Sequence, residues 1–399
     1  MYVRIKYYAN RRLAIKMKKI LAILLAAIMI LSMVACSNKK EEEATDDEKT
    51  AVAEQAITVA SGKFEYDVNE EGDFEIVKYV PSSTKPVDLI ELPKTTTDGR
   101  DIVGIADEAF KYELSIKAVS IPATYTYIGN YAFYECDNLE KVVMTDAVVS
   151  IGKSAFQGCE KLADLTLSKG LEKIDRFTFK DCVALTTIAL SENVKEIATG
   201  AFFGCSELTT LTLTANITAV DSYAFTNCSK LTYTVEKGAK YLGNTENPYI
   251  VLASAENYNI TACTVNEKTL VVAENAFSDC SELETIVLSD SVKVISNASF
   301  NNCEKLSFTE YENGLYLGST ANAHMVLVGL VNTAVEDFKL HADTKIITAT
   351  AFEHCFNIED IAYEKTEADW NAIIKSSDPI NDITIIVHCA EDKEVHFVV

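Results

Sequence analysis

Apolar residues recur along most of the chain at fixed offsets within a period of 23 residues. Two of them in each period alternate with polar residues, which predicts a short strand with two side chains on one face. Each period therefore contributes one strand and a set of apolar side chains that must be buried against neighbouring periods. In the period that begins at Phe202, the apolar positions are Leu208, Leu211, Leu213, Ile217, Val220, Ala224 and Phe225.

A phenylalanine marks each period, and a cysteine follows it by three residues in all but the first. The first period has Glu113 at the cysteine position, as expected of an end coil that meets more solvent. Cys228 and Cys280 are 52 residues apart. Cys303 and Cys355 are separated by the same 52 residues, so each gap is one period plus 29 residues. The marks are Phe110, Phe133, Phe156, Phe179, Phe202, Phe225, Phe277, Phe300 and Phe352.

A repeat of about 20 to 29 residues with the spacing L-x-x-L-x-L is typical of leucine-rich repeats, whose coils bury their apolar faces by stacking. The pattern A-F-x-x-C-x-x-L-x-x-I-x-L, found over residues 87–363, resembles the BspA-type bacterial leucine-rich repeats. We therefore predict an α/β-type repeat solenoid over residues 103–363. The resemblance implies a parallel β-sheet on its concave face.

The two gaps in the repeat hold related insertions, near residues 233–263 and 308–338. Their central segments are KYLGNTENPYIVLASA (240–255) and LYLGSTANAHMVLVGL (315–330), with apolar runs on each side of a turn that contains Asn and Gly. This arrangement predicts a β-hairpin in each insertion. The Y-L-G…N-P-Y motif also recurs in BspA-type proteins, which supports the resemblance.

The N-terminal segment has the composition of an export signal. Lys18 and Lys19 precede an apolar run at residues 20–34, which is shorter than the ~20 residues of a comfortable membrane span. The residues LSMVAC resemble a lipobox, so we predict a signal peptide over residues 1–35 and lipid attachment at Cys36. An uncleaved anchor and an ordinary secretory signal are the alternatives. Met17 is a candidate start, because MKKILAILL is a complete signal opening.

Three further segments flank the solenoid. Residues 36–56 are polar and charged, which predicts a flexible tether between the lipid and the folded part. Residues 57–102 alternate as strands do, and we expect them to form an N-terminal β cap over the first coil. Residues 364–399 depart from the repeat, and we expect a C-terminal cap in which Trp370 closes the last coil.

Composition and motifs exclude several classes of function. Asp and Glu number 59 against 36 Lys and Arg, and the net charge of −23 argues against nucleic acid and against docking to anionic lipid. The five histidines and eleven cysteines form no recognisable nucleophile or metal motif, so no catalytic residue, cofactor or metal is predicted. The cysteines that follow the phenylalanines are expected to be buried free thiols. The sequence does not decide whether Cys263 or Cys389 forms a disulfide.

Candidate binding residues lie on two surfaces. The strand residues between the repeated leucines lack the Tyr, Trp and Arg that dominate binding energy, so they are the second choice. The first choice is the edge formed by the two insertions. The insertion candidates are Tyr233, Tyr249, Tyr258, Tyr311 and His324, and the strand candidates are Thr166, Thr210 and Thr212.

These observations predict a monomeric, non-catalytic protein that binds or adheres at the bacterial surface, outside the cytoplasm and anchored by lipid. The family resemblance implies host matrix proteins or the surface proteins of other bacteria as partners. The alternative is a carbohydrate-capture or envelope-structural protein without a protein ligand.

Overall fold

The structure is a computed structural model that describes residues 62–82, 85–221, 223–296, 298–375 and 384–398. The predicted signal peptide, the lipid attachment site Cys36, the tether over residues 36–56 and the first residues of the N-terminal cap lie outside the described residues. A search of the described residues for a helix long and apolar enough to cross a membrane finds none.

Short strands account for most of the regular structure. Helix in the described residues is limited to α1 (Glu367–Ala372) and the 3₁₀ segments Ala349–Phe352 and Ala390–Asp392. The strands before the first insertion are β1 (Gly62–Val68), β2 (Phe74–Pro81), β3 (Ile90–Glu91), β4 (Ile102–Ile105), β5 (Ala118–Ser120), β6 (Tyr127–Ile128), β7 (Lys141–Val143), β8 (Ser150–Ile151), β9 (Asp164–Leu165), β10 (Lys173–Ile174), β11 (Thr187–Ala189), β12 (Glu196–Ile197), β13 (Thr210–Thr212) and β14 (Ala219–Val220). The later strands are β15 (Thr234–Glu236), β16 (Ala239–Leu242), β17 (Val251–Ala255), β18 (Ala262–Thr264), β19 (Val271–Val272), β20 (Thr285–Val287), β21 (Val294–Ile295), β22 (Thr309–Tyr311), β23 (Gly314–Leu317), β24 (Val326–Leu330), β25 (Asp337–Leu340), β26 (Ile346–Ile347), β27 (Asp360–Tyr363), β28 (Ile374–Lys375), β29 (Thr384–Cys389) and β30 (Lys393–Val398).

Each regular coil contributes two short strands, and equivalent strands of successive coils pair in parallel. The register advances by one 23-residue period, so that Thr187 pairs with Thr210 and Glu196 pairs with Ala219. The strands that contain the repeated leucines form the sheets β3-β5-β7-β9, β11-β13, β18-β20 and β25-β27-β29-β30. The other series forms β1-β2-β4-β6-β8, β10-β12-β14, β15-β16-β17-β19-β21 and β22-β23-β24-β26-β28. The predicted solenoid, its period and its parallel sheets are confirmed, with less helix than an α/β label suggests.

The repeated phenylalanines stack through the middle of the solenoid. The rings of Phe133 and Phe156 lie 5.2 Å apart and nearly parallel at 3°, and Phe110, Phe179 and Phe202 continue the same column. All five rings are buried. Because each ring contacts the rings above and below it, the column ties every coil to its two neighbours, which is how a repeat solenoid becomes stable.

The cysteines that follow the phenylalanines are buried and free, as are Cys263 and Cys389. The thiol of Cys205 donates to the carbonyl oxygen of Phe179 in the preceding coil at 3.1 Å, and Cys228 does the same to Phe202. Burial raises the pKa of Cys228 to about 12, so this thiol is a weak nucleophile at neutral pH. The cysteines that follow the phenylalanines therefore act as small packing groups, and six of them also donate to a carbonyl of the preceding coil.

The turn around each stacked phenylalanine has an unusual backbone. The residues two before and two after the ring have positive φ, for example 56° at Tyr131 and 52° at Glu135 around Phe133. The N–H groups of these three residues all donate to carbonyls of the next coil, at 2.7 to 2.9 Å. Left-handed residues at alternate positions thus direct every second N–H group towards the next coil. These hydrogen bonds link the coils in addition to the paired strands and the stacked rings.

Each insertion is a three-stranded antiparallel unit. Strands β15, β16 and β17 form the first, and β22, β23 and β24 form the second. The predicted hairpins correspond to β16–β17 and β23–β24 and are confirmed. The third strand of each unit continues in parallel pairing with the next coil, through β17–β19 and β24–β26. Each insertion therefore begins as an edge strand and ends as part of the solenoid sheet.

The C-terminal segment packs on the last coils through α1 and the antiparallel pair β29–β30. Thr366 begins α1 with a capping box, since its hydroxyl accepts from the N–H of Asp369 while the Asp369 side chain accepts from the N–H of Thr366. Trp370 is buried and meets Tyr363 and Phe397 edge-on, with ring centroids 5.9 and 5.4 Å apart. Its ring is part of the core of this end.

Candidate functional site

The two insertions present equivalent clusters of side chains on the same backbone. In the first, the buried Tyr241 ring meets Tyr249 edge-on at 5.3 Å, and its hydroxyl accepts from the N–H of Asn266 at 3.3 Å. The Asn266 side chain donates to Glu236 at 2.9 Å, and this hydrogen bond lowers the pKa of the Glu236 carboxyl. The same carboxylate bonds to the Tyr249 hydroxyl and raises its pKa. The cluster is a closed network with a carboxylate at its centre.

In the second insertion, two histidines occupy the equivalent place. The imidazoles of His324 and His341 stack with centroids 3.9 Å apart and planes 16° from parallel. Tyr311 meets His341 edge-on at 4.6 Å, and the buried Tyr316 accepts from the N–H of His341 at 3.1 Å. Burial, and then the neighbouring His341, lowers the pKa of His324. This cluster therefore favours the neutral form of His324.

The tight turn of each insertion depends on one glycine and one asparagine. A Cβ on Gly243 would lie 2.0 Å from the carbonyl oxygen of Asn247, and one on Gly318 would lie 2.1 Å from that of Asn322. The Asn247 side chain donates to the carbonyl of Lys268 at 3.0 Å, which links the turn to the following coil. Asn322 makes the same link to Asp343 at 2.8 Å. No larger residue fits the glycine position without moving this backbone.

The insertion residues predicted as binding candidates differ in exposure. Tyr258 is 70% exposed, whereas Tyr233 is half-buried against the main core. Tyr249, Tyr311 and His324 are half-buried within the clusters just described. Tyr311 and His324 share one cluster, with ring centroids 5.8 Å apart. Strands β15 and β22 form the outer edges of their sheets, so the insertions offer an edge strand as well as side chains.

Two of the threonine candidates, Thr210 and Thr212, lie on strand β13, and Thr166 directly follows strand β9. Thr166 and Thr210 are exposed and Thr212 is half-buried. Thr210 pairs with Thr187 of the previous coil, and the neighbouring strands carry the Lys141–Asp164 ion pair at 2.6 Å. This face therefore has small side chains and paired charges that are exposed to solvent, and it lacks a pronounced relief.

A shallow cleft of about 750 Å³ lies near the C-terminal end, where strands β25, β27 and β29 meet. His388 lies in it, with its Nε2 atom 2.6 Å from Asp360 and its Nδ1 atom 3.6 Å from Glu394. Glu312 and Asp337 also line the cleft, so its walls are largely acidic. Among the described residues, no group of three or more His, Cys, Asp and Glu side chains is placed to hold a metal ion.

A further surface was missed by sequence reasoning. Aromatic side chains and lysines gather at the turns around the stacked phenylalanines of the first six coils, and we call this the aromatic turn surface. Lys111 lies 5.4 to 5.7 Å from the ring centroids of three tyrosines, and Lys180 lies 5.2 and 5.4 Å from two phenylalanines. A comparison of the turn positions between coils could have revealed it. Its rings are Tyr112, Tyr131, Tyr134, Phe177, Phe203 and Tyr223.

Comparison with known proteins identifies the repeat. The chain matches the family described as BspA type leucine rich repeat region in six copies, over residues 103–232 and 252–325. No curated protein gives a significant match.

Several solved bacterial leucine-rich repeat structures are similar to the chain. A leucine rich cell surface protein from Faecalibacterium prausnitzii is 23% identical, with a TM-score of 0.42 over 82% of this chain and 100% of that one. The leucine rich repeat protein of T. pallidum is 25% identical, with a TM-score of 0.43 over 55% and 87%. A leucine-rich repeat protein from Bacteroides ovatus is 18% identical, with a TM-score of 0.31 over 78% and 96%.

Proposed function

Since the chain belongs to the BspA-type leucine-rich repeat family, we propose that it is a non-catalytic binding protein that acts outside the cytoplasm. Solenoids of this kind stack repeats into long surfaces on which loops and insertions vary. Here the insertions repeat one backbone with different side chains, Glu236 and Tyr249 in one and Tyr311 and His324 in the other. This combination of a kept scaffold and a varied cluster is the observation that carries the proposal.

The proposed partner is a protein on another cell or in a host matrix, bound at the insertion edge. Strand β15 is an outer strand whose Val235 is exposed, and Tyr258 of the same insertion is exposed as well. An outer strand can pair with a partner's strand through its backbone groups, while neighbouring side chains supply specificity. An exposed tyrosine adds contact area at a small entropic cost. Both kinds of contact are present in one insertion.

A solid-phase binding assay tests the insertion edge. The purified full-length chain would be applied to immobilised matrix proteins and to whole bacterial cells, and saturable binding to at least one is expected. Val235→Lys and Tyr258→Ala should weaken that binding without a change in melting temperature, because both side chains are exposed. Val149→Lys, a change at a similarly exposed valine in the first half of the solenoid, is the matched control. Binding that survives both edge variants would refute this site.

Attachment to the membrane is proposed to occur through lipid on Cys36, which has the sequence context of a lipobox. Two acyl chains would hold the protein firmly, whereas one gives only reversible binding. Metabolic labelling with an alkyne fatty acid should mark the wild-type chain and leave Cys36→Ala unlabelled. The variant should also move from the membrane fraction to the soluble fraction. Labelling that persists in Cys36→Ala would contradict the proposal.

A further inference from the structure

The aromatic turn surface is built at positions where aromatic residues are conformationally unfavourable. Tyr112, Tyr131, Phe177 and Tyr223 have φ values of 64°, 56°, 56° and 60°. A bulky side chain in this left-handed region is a backbone outlier and costs free energy. Glycine avoids that cost, and the chain does use glycine at equivalent turn positions of neighbouring coils. Those glycines are Gly158, Gly200 and Gly204, with φ values of 77°, 61° and 77°.

At two of these positions the ring has little core packing. Tyr112 is 54% exposed and Tyr223 is 62% exposed. By contrast, the core ring Phe133, two residues after Tyr131, is fully buried. The outer rings contact each other instead, since Tyr134 meets Tyr112 and Tyr131 edge-on at 5.6 Å. The left-handed backbone occurs in every one of these turns whatever the side chain, and hydrogen bonds between coils hold it. The fold therefore does not require aromatic rings at these positions, and a patch of partly exposed rings is a candidate for recognition.

Charged side chains lie between the rings and indicate the kind of ligand. Lys111 sits among three tyrosines and pairs with Glu108, and Lys180 lies over two phenylalanine rings. The cores of protein interfaces are depleted in Lys and Glu, because these groups are costly to desolvate. A sugar, in contrast, offers C–H faces that stack on rings and hydroxyl groups that bond to charged and amide side chains. The mixture of rings and charges therefore fits a hydrated, hydroxyl-rich ligand better than a protein.

The arrangement of the rings also fits a polymer. Coils stack at about 4.8 Å, the spacing of paired strands, so the first and sixth coils are roughly 24 Å apart. The third coil has no aromatic residue at these turn positions and carries Ser154, Gln157 and Gly158 instead. This coil separates the tyrosine group around Lys111 from the phenylalanine group around Lys180. The surface thus presents two aromatic platforms along one line.

We propose that the aromatic turn surface binds a strand of neutral polysaccharide that runs along the first six coils. The two platforms stack against successive sugar rings, and the lysines and acidic residues between them bond to hydroxyl groups. This site shares no residue with the insertions. Its test is therefore independent of the protein partner proposed above, and either proposal can fail alone.

Affinity electrophoresis of the full-length chain tests the site. Gels that contain soluble β-glucan, mannan or xylan serve as probes, and at least one should retard the protein. The triple variant Tyr112→Gly, Tyr131→Gly and Phe177→Gly should bind that polysaccharide at least about tenfold more weakly, since three ring contacts are removed. Its melting temperature should be kept or raised, because glycine suits a positive φ.

A matched control uses the same backbone positions in later coils. Asn275→Gly, Asp279→Gly and Asn302→Gly replace residues with φ values of 58°, 66° and 58° that carry no aromatic ring. This control should keep the wild-type affinity. The proposal is overturned if none of the three polysaccharides retards the protein, or if the control loses as much affinity as the aromatic variant. A large fall in the melting temperature of the aromatic variant would also overturn it, since the rings would then be structural.

Discussion

The two insertions have the same strands, the same irregularity in strand pairing and the same turn, yet different polar clusters. The pairing shifts between Lys240 and Tyr241 in the first and between Leu315 and Tyr316 in the second, 75 residues later. In each, a buried tyrosine accepts a backbone N–H from the following coil. The backbone of both is therefore fixed by a tyrosine, a glycine and an asparagine.

The positions around that tyrosine vary because they do not determine the backbone. Glu236, Tyr249 and Asn266 form a hydrogen-bonded network in the first insertion. The second has Tyr311, His324 and His341, which pack as rings. The comparison teaches that one scaffold carries a carboxylate cluster in one copy and an imidazole cluster in the other. The two insertions should thus contribute equally to the free energy of unfolding at neutral pH but differ in how that contribution changes with acid.

The largest expected effect is a shared loss of stability when either buried tyrosine is removed. Tyr241 is 1% exposed and Tyr316 is 0% exposed, so replacement of either by alanine leaves a large cavity. Tyr241→Ala and Tyr316→Ala should each lower the free energy of unfolding by about 3 to 5 kcal/mol. Urea titration of the full-length chain measures this loss.

Tyr258→Ala is the control for those variants, because its side chain is largely exposed. It should change the free energy of unfolding by no more than about 0.5 kcal/mol. If the losses of unfolding free energy in Tyr241→Ala and Tyr316→Ala differ by more than twofold, the two insertions are not equivalent in stability and the comparison fails.

The next effect is a difference in pH dependence. The pKa of His324 is lowered by burial below its ordinary 6.5, so the unfolded chain binds a proton more readily than the folded one. Stability from this group is present above pH 6.5 and is lost as the pH falls below it. The pKa of Glu236 is lowered from 4.5 by the Asn266 hydrogen bond, so its contribution is present above pH 4.5 and is lost only below that value. Between these limits only the second insertion should loosen.

A transplant of the first cluster into the second insertion sharpens this prediction. The triple variant Tyr311→Glu, His324→Tyr and His341→Asn installs the first insertion's residues at the equivalent positions. Wild type should lose stability between pH 7 and pH 5.5 in thermal unfolding, and the transplant should lose less. Asp343 acts on His324 in the opposite direction and is kept in both proteins. Equal losses in the two would show that the histidine pair is not the cause.

The sequence predicts the parts of this fold that depend on repeated core residues. Phe202 recurs as phenylalanine and Leu211 recurs as an aliphatic residue at the same spacing, so the coils and the first strand series could be predicted. The apolar runs on each side of the insertion turns allowed the hairpins to be predicted as well. The second strand of a coil, such as Tyr127–Ile128, has only two residues and shows no alternation. The left-handed turns escape notice because Tyr131 and Glu135 occupy positions where glycine is expected. Backbone conformation at these positions is set by hydrogen bonds between coils, which a single period does not show.

The candidate sites were predictable to a smaller extent. Tyr311 and His324 were predicted because they lie in one insertion. His341 belongs to the following coil and contacts them only in the folded solenoid, where that coil stacks on the insertion. Its offset of 75 residues from Asn266 was the available signal. The aromatic turn surface was missed because its rings occupy three different turn positions and do not repeat in one column. Stacking of coils brings them together, and no motif along the chain records it.

The smallest expected effect concerns the ion pairs that precede each insertion. Lys230 lies 2.5 Å from Glu207, and Lys305 lies 2.6 Å from Glu282 at the equivalent place in its coil. All four side chains are about half exposed, so solvent and salt screen both pairs. The hydrogen bond that Lys305 donates to Glu282 raises the pKa of Lys305, which keeps that lysine charged throughout the pH range tested above. Lys230→Gln and Lys305→Gln should therefore lower the melting temperature slightly and equally, and less at 1 M than at 0.05 M salt. A loss in one variant comparable to that of Tyr241→Ala would mean that a surface ion pair stabilises that insertion as much as its buried tyrosine does, and the two insertions would then not be equivalent in stability.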